Sequence, residues 1–175
     1  MSYDLIVFDP EAPPRDREEF MGWIGETMES LDSGESDDPA IATPLLQTWF
    51  HEMILEFPPL NGPLAVPLDS HPTVADYFIS PSLICVNFQW PHAEKAAAAT
   101  FRVAEKHGVG LYNASGDDDY IWFPQPDGRF LSLEDFAAGK ATSDYAEDMR
   151  LSALQALEFY HGVMKKIRED GGNPG

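Results

Sequence analysis

Short apolar runs alternate with longer amphipathic stretches along the chain, and clusters of proline and glycine separate them. Tyr3-Asp4-Leu5-Ile6-Val7-Phe8 reads as a strand ended by Asp9-Pro10. Leu5 and Val7 place apolar side chains on one face, and Ile6 and Phe8 on the other. That is the pattern of a central strand covered on both sides. After the proline-rich loop to Pro14, the pattern predicts a helix over 15–31. Phe20, Trp23, Ile24, Thr27, Met28 and Leu31 recur with the helical period and form one apolar stripe, while Glu18, Glu19, Glu26 and Glu29 fall largely off it. Asp16 and Glu19 have capping-box spacing, with aspartate in place of the usual hydroxyl residue.

Residues 32–39 form a polar loop. Thr43-Pro44 then supplies a helix cap followed by proline at the first helical position. The second helix is predicted over 44–57, with Leu45, Leu46, Trp49, Phe50, Met53, Ile54 and Phe57 on its apolar face and Pro58-Pro59 as its stop. Residues 60–73 read as an ordered loop. Strands are predicted near 74–80 and 82–88, joined through Ser80-Pro81-Ser82 as a hairpin. Trp90-Pro91 opens an alanine-rich helix over 92–107, which ends in Lys106-His107-Gly108. Basic residues and a glycine there suit the helix dipole and a left-handed cap. Two more strands are predicted near 109–113 and 120–123. A last helix over 145–168 carries Met149, Ala153, Leu157, Tyr160, Met164 and Ile167 on its apolar side.

The order β-α-α-β-β-α-β-β-α, with no internal repeat, predicts an α+β fold. The expected form is a five-stranded antiparallel or mixed sheet on a ferredoxin-like split β-α-β plan. It has an extra helix in the first crossover, an added C-terminal helix, and helices mainly on one face. The expected division is a core over 1–125, an extension over 126–170 with one helix packed on it, and a disordered tail over 171–175.

With 175 residues, 43% of them hydrophobic, the chain has enough apolar material for one core without covalent staples. Its single cysteine, Cys85, excludes an internal disulfide and reads as buried filler in Leu83-Ile84-Cys85-Val86. No signal peptide and no membrane-spanning run is visible, so the cytoplasm is the expected compartment.

Charge changes the picture most. The formal net charge is −19, and residues 1–80 hold 16 acidic and 2 basic side chains. A field of that sign repels nucleic acid and anionic lipid and attracts basic surfaces. The alternative is that acidity serves solubility alone.

Candidate chemistry is sparse. Asp117-Asp118-Asp119 offers three carboxylates to a hard cation but lacks the alternating spacing and distal glutamate of an EF-hand, so a solvated turn is expected. His51, His71, His92, His107 and His161 include no zinc-type pair, and Leu55 stands where a second histidine after His51-Glu52 is needed. Ser115-Gly116 has no nucleophile-elbow context. Gly108-Val109-Gly110 precedes a strand, not a helix, so it is no dinucleotide loop. No catalytic, cofactor or metal site is therefore expected. A small-molecule protein or enzyme with a pocket lined by Tyr77, Trp90, His92 and Trp122 is one alternative, and an oligomeric scaffold built on the C-terminal helix is another.

The opening Ser2-Tyr3-Asp4-Leu5-Ile6-Val7-Phe8-Asp9-Pro10 resembles a family of short, uncharacterised bacterial proteins. So do Thr43-Pro44 with Trp49-Phe50, Phe57-Pro58-Pro59-Leu60-Asn61-Gly62-Pro63, Asp76-Tyr77, Lys106-His107-Gly108-Val109-Gly110 and Ile121-Trp122-Phe123-Pro124. The resemblance covers most of residues 1–125, and the segment from about Phe130 departs from it. It implies a link to the acidic immunity proteins that accompany secreted bacterial toxins, and it brings no catalytic residues. The expected partner is accordingly a basic protein, a cognate toxin domain. The expected contact residues are Glu26, Glu29, Asp32, Glu35, Asp37 and Asp38, with Asp117, Asp118 and Asp119 as a second patch.

Overall fold

In a computed structural model, the structure describes residues 2–32, 37–116, 120–138 and 145–170. The elements run β1 (Tyr3–Phe8), α1 (Arg17–Asp32), α2 (Pro44–Met53), β2 (Asp76–Ile79), β3 (Leu83–Phe88), α3 (Ala93–His107), β4 (Gly110–Asn113), β5 (Ile121–Pro124), β6 (Phe130–Ser132), α4 (Leu133–Ala138) and α5 (Tyr145–Asp170). Short 3-10 turns at Pro39–Ile41 and Trp90–His92 precede α2 and α3.

The fold is α+β, built on one sheet in the order β2-β3-β1-β4-β5-β6. Every pairing is antiparallel, so of the two sheet types expected the antiparallel one is present. The sheet has six strands rather than five. The extra strand, β6, has three residues and pairs Leu131 with Phe123, too short a run to produce a readable alternation. The six-residue α4 that follows it was likewise not expected, for the same reason.

The alternation of β1 divides the core as its sequence requires. Tyr3, Leu5 and Val7 join Tyr77, Ile79, Ile84, Val86, Phe88, Leu111 and Trp122 on one face, under Trp49, Phe50 and Met53 of α2, Phe101 of α3 and Met149 of α5. Ile6 and Phe8 join Leu83, Cys85, Tyr112, Ile121 and Phe123 on the other, under Phe20, Ile24 and Leu31 of α1. The alanines of α3 explain why it takes the middle of its layer. Ala93, Ala96, Ala97 and Ala104 are fully buried, and side chains this small admit close approach of neighbouring elements.

Local signals fix the helix ends. The Asp16 carboxylate accepts the backbone N–H groups of Glu18 and Glu19, the cap that the spacing predicted. Gly108, at φ +68°, ends α3 with its N–H and that of Val109 turned back to Glu105 and Ala104. Helix α2 stops at Met53, four residues before the expected end. The chain nevertheless keeps turning, because the N–H of Phe57 donates to the Met53 carbonyl and buries Phe57 before the prolines. At the outer edge of the sheet, the Asn61 side chain brackets Tyr77, donating to its carbonyl at 2.6 Å and accepting its N–H at 2.9 Å. The 60–73 loop thereby occupies backbone groups of edge strand β2 that would otherwise be open to pairing.

Candidate functional site

Two features lie on the α1 side of the sheet. The first is a groove of about 370 Å³ between the C-terminal half of α1 and strands β2, β3, β1 and β4. Ile24, Met28 and Leu31 form its helical wall, and Ile6, Phe78, Cys85 and Tyr112 line it from the sheet. It exists because α1 covers only part of this face, leaving Phe78 on β2 36% exposed.

Two polar side chains, Asp4 and Asn87, complete the lining of the groove. Asp76, Asn87 and Asp4 fall in register on β2, β3 and β1, so their side chains form one cross-strand row. The Asn87 amide donates to Asp4 Oδ1 at 2.6 Å. The Asp4 backbone N–H donates to Ser115 Oγ at 2.7 Å. Burial raises the Asp76 carboxyl above the ordinary carboxylate range. Cys85 sits on the floor, and burial, with the Asp4 charge second, pushes its thiol up to about 12. It is therefore a neutral packing group at physiological pH and not a nucleophile.

The second feature is charge. Glu18, Glu19, Glu26 and Glu29 are exposed along the outer side of α1, and none forms an ion pair among the described residues. The two basic residues of this region are engaged. Arg15 lies 3.7 Å from the Phe123 ring centre and donates to the Pro10 carbonyl, and Arg17 pairs with Glu134 of α4. On the opposite side most acids are paired, although Glu105, Asp148 and Glu158 form no ion pair among the described residues. Glu52 of α2 takes Lys106 at 2.8 Å and His107 at 2.7 Å from α3, Glu56 takes Arg102, and Glu94 and Glu147 share Arg150. Hydrogen bonds from Lys106 and His107 hold the Glu52 carboxyl below its usual value.

The expected contact residues are only partly brought together. Glu26 and Glu29 lie on the outer side of α1, and Asp32 ends that helix. Asp37 and Asp38 lie beyond it, where the chain crosses to the other face and the Thr43 N–H donates to the Pro81 carbonyl. Gly62, at φ +79°, lets the Asp37 carbonyl approach so closely that a Cβ there would lie 2.3 Å from it. The Asp38 carboxylate accepts the Ala40 N–H at 2.9 Å and caps the 3-10 turn, a structural duty not expected of it. Glu35, the Asp117, Asp118, Asp119 patch and the 171–175 tail lie outside the described residues.

The aromatic residues expected to line a pocket serve the core of the opposite face. Tyr77 and Trp122 are buried, the Tyr77 hydroxyl donates to the Phe57 carbonyl at 2.7 Å, and Trp90 stacks on Tyr160 at 5.0 Å. Among the described residues no group of three or more histidine, cysteine, aspartate or glutamate side chains is placed to hold a metal ion. No helix of the described residues is long and apolar enough to cross a membrane.

Sequence reasoning missed Asp4, Asp76, Phe78 and Asn87 as a group. Asp4 and Asn87 interrupt otherwise apolar strands, which is a signal. Their meeting depends on the register of three strands, which no local pattern states. Comparison with known proteins finds no family model, no curated protein and no solved structure that matches the chain.

Proposed function

We propose that this chain is an acidic protein-binding inhibitor: an immunity protein that neutralises a cognate bacterial toxin by blocking its basic active-site cleft, acting in the cytoplasm. The observation that carries this reading is the segregation of charge across the sheet. The α2, α3 and α5 side pairs Glu52, Glu56, Glu94, Glu147 and Glu169 with cations and leaves Glu105, Asp148 and Glu158 open, while α1 presents Glu18, Glu19, Glu26 and Glu29 without any ion pair among the described residues. Acidity that served solubility alone would give no reason for most acids on one side to be paired while the exposed glutamates of α1 all stay open. Unpaired carboxylates on a rigid helix imitate the charge of a phosphate chain. They also speed encounter with a basic surface above the roughly 10⁵–10⁶ per molar per second of neutral pairs. The resemblance of most of residues 1–125 to a family of short bacterial proteins, and the link to toxin immunity which that family implies, lead to the same reading.

The strand order β2-β3-β1-β4 also supports a ferredoxin-like split β-α-β plan for the inner strands, with α2 and α3 as its helix pair. On this plan α1 is the added helix, free to serve recognition because the inner unit has its own helical layer.

The test is co-expression with the gene product encoded immediately upstream. The expected result is growth arrest by that product alone and rescue by this protein. A harmless product, or toxicity that this protein leaves untouched, overturns the proposal.

A further inference from the structure

We propose that the groove beside α1 is an anchor pocket for one arginine or lysine side chain of the protein partner, an inference that rests on the inhibitor reading and gives it a specific point of contact. The apolar walls and the polar lining of the groove ask for different halves of one side chain. Ile24, Met28 and Phe78 offer apolar surface on which an aliphatic stem can lie. Asp4 then meets the head group. A carboxylate has about four acceptor positions, of which the Asn87 amide occupies one. No described cation pairs with Asp4. Asn87 holds the carboxylate in place, so it is oriented before any ligand arrives. A charge-assisted bond from a guanidinium or ammonium is the strong kind, and the apolar walls reduce its competition with water.

Two further features favour a cation there. Helix α1 ends beside the groove, since Leu31 lines it, and its last turn carries no basic side chain. The partial negative charge of a helix C-terminus therefore lies near the groove. Asp76, two strands along the same row, adds to the negative potential nearby without lining the groove itself. The volume of about 370 Å³ lies at the lower end of small-ligand pockets, a scale that suits one long side chain. Buried arginines are also among the residues that most often dominate binding energy at interfaces.

The experiment is an NMR amide titration of the full chain with N-acetyl-arginine methylamide, and in parallel with its neutral isostere N-acetyl-citrulline methylamide. The arginine probe is expected to shift Met28, Phe78 and the Asn87 side-chain amide saturably, and to bind at least tenfold more tightly than the citrulline probe. Asp4→Asn, which keeps the shape of the residue and an acceptor for Asn87, is expected to weaken the arginine probe at least tenfold. Equal binding of the two probes, or shifts confined to the outer glutamates of α1, overturns the proposal. If Asp4→Asn does not fold, the comparison of the two probes on the unaltered chain decides. Toxin rescue that survives both Asp4→Asn and Phe78→Ser removes the pocket and leaves the inhibitor reading standing. Specific probe binding beside a harmless upstream product does the reverse.

Discussion

Gly110 is the residue on which the closest packing of the sheet turns. A Cβ added there would lie 2.1 Å from Phe8 Cε2 and 2.3 Å from Cζ. The Phe8 ring cannot withdraw, because Phe20, Trp23 and Phe123 surround it at centroid distances of 5.2, 6.1 and 5.1 Å. Gly110→Ala is therefore expected to destabilise the fold by about 1–3 kcal/mol through overpacking. Gly25, exposed on α1 with nothing within 4 Å of an added Cβ, serves as the control. Gly25→Ala is expected to stabilise by roughly 0.5–1 kcal/mol, because alanine loses less conformational freedom in a helix. Urea denaturation of both variants checks the pair, and equal midpoints would contradict the packing argument. The sequence showed Gly110 only as part of a helix cap followed by a strand. Its steric role became visible once β1 and β4 were paired. The cap at Asp16 was legible in advance, because a cap is a local matter of three or four residues. The cap at Asp38 was hidden behind the expectation that an acidic loop is for binding.

At the scale of elements, β1, β2 and β3 concentrate buried weak acids. Cys85 on β3 is held neutral, its thiol pushed from an ordinary 9.0 up to about 12. Burial likewise raises the hydroxyls of Tyr3 on β1 and Tyr77 on β2 above their ordinary 10.0. A group whose pKa is raised by folding stabilises the fold fully below its unfolded value, and that stability is lost as pH rises toward the folded value. The sheet is thus expected to keep its stability up to about pH 9. It should then weaken progressively toward pH 12, by roughly 1.4 kcal/mol per pH unit for each group once its ordinary pKa is passed. Denaturant midpoints measured from pH 7 to 11 test this, and a flat profile to pH 11 would show that these groups are not held neutral by the fold. The same scale shows why most elements could be read and two could not. Helices α1, α3 and α5 repeat their apolar period over several turns, and β1 and β3 each offer six residues. Strand β6 and helix α4 are formed by tertiary contact at the sheet edge, with too few residues to carry a period of their own.

For the whole molecule, the sheet separates a side on which most carboxylates are paired from one on which the exposed glutamates of α1 are not. The chain totals of charge were legible from the sequence, as was the excess in residues 1–80. What could not be read was the pairing across space. Glu52 and Glu56 belong to the acidic half of the sequence, yet they are met by Arg102, Lys106 and His107 of α3. Acids close to one another in the chain therefore part into a neutralised set and an open set. The groove was equally out of reach, since it is set by how far α1 falls short of covering β2. In the proposed reading the two features divide the labour of recognition: the outer glutamates govern encounter, and the pocket governs hold. The most direct test of the charge account is the association rate with the upstream gene product, followed by stopped flow over a range of salt concentrations. It compares the unaltered chain with the double variant Glu26→Lys, Glu29→Lys, which touches neither the core nor the Asp38 cap. The expected result is an association rate at least tenfold slower at low salt and a much flatter dependence on salt, with far-UV circular dichroism unchanged. An unaltered rate and an unaltered salt dependence would contradict the claim that this face of α1 meets the partner.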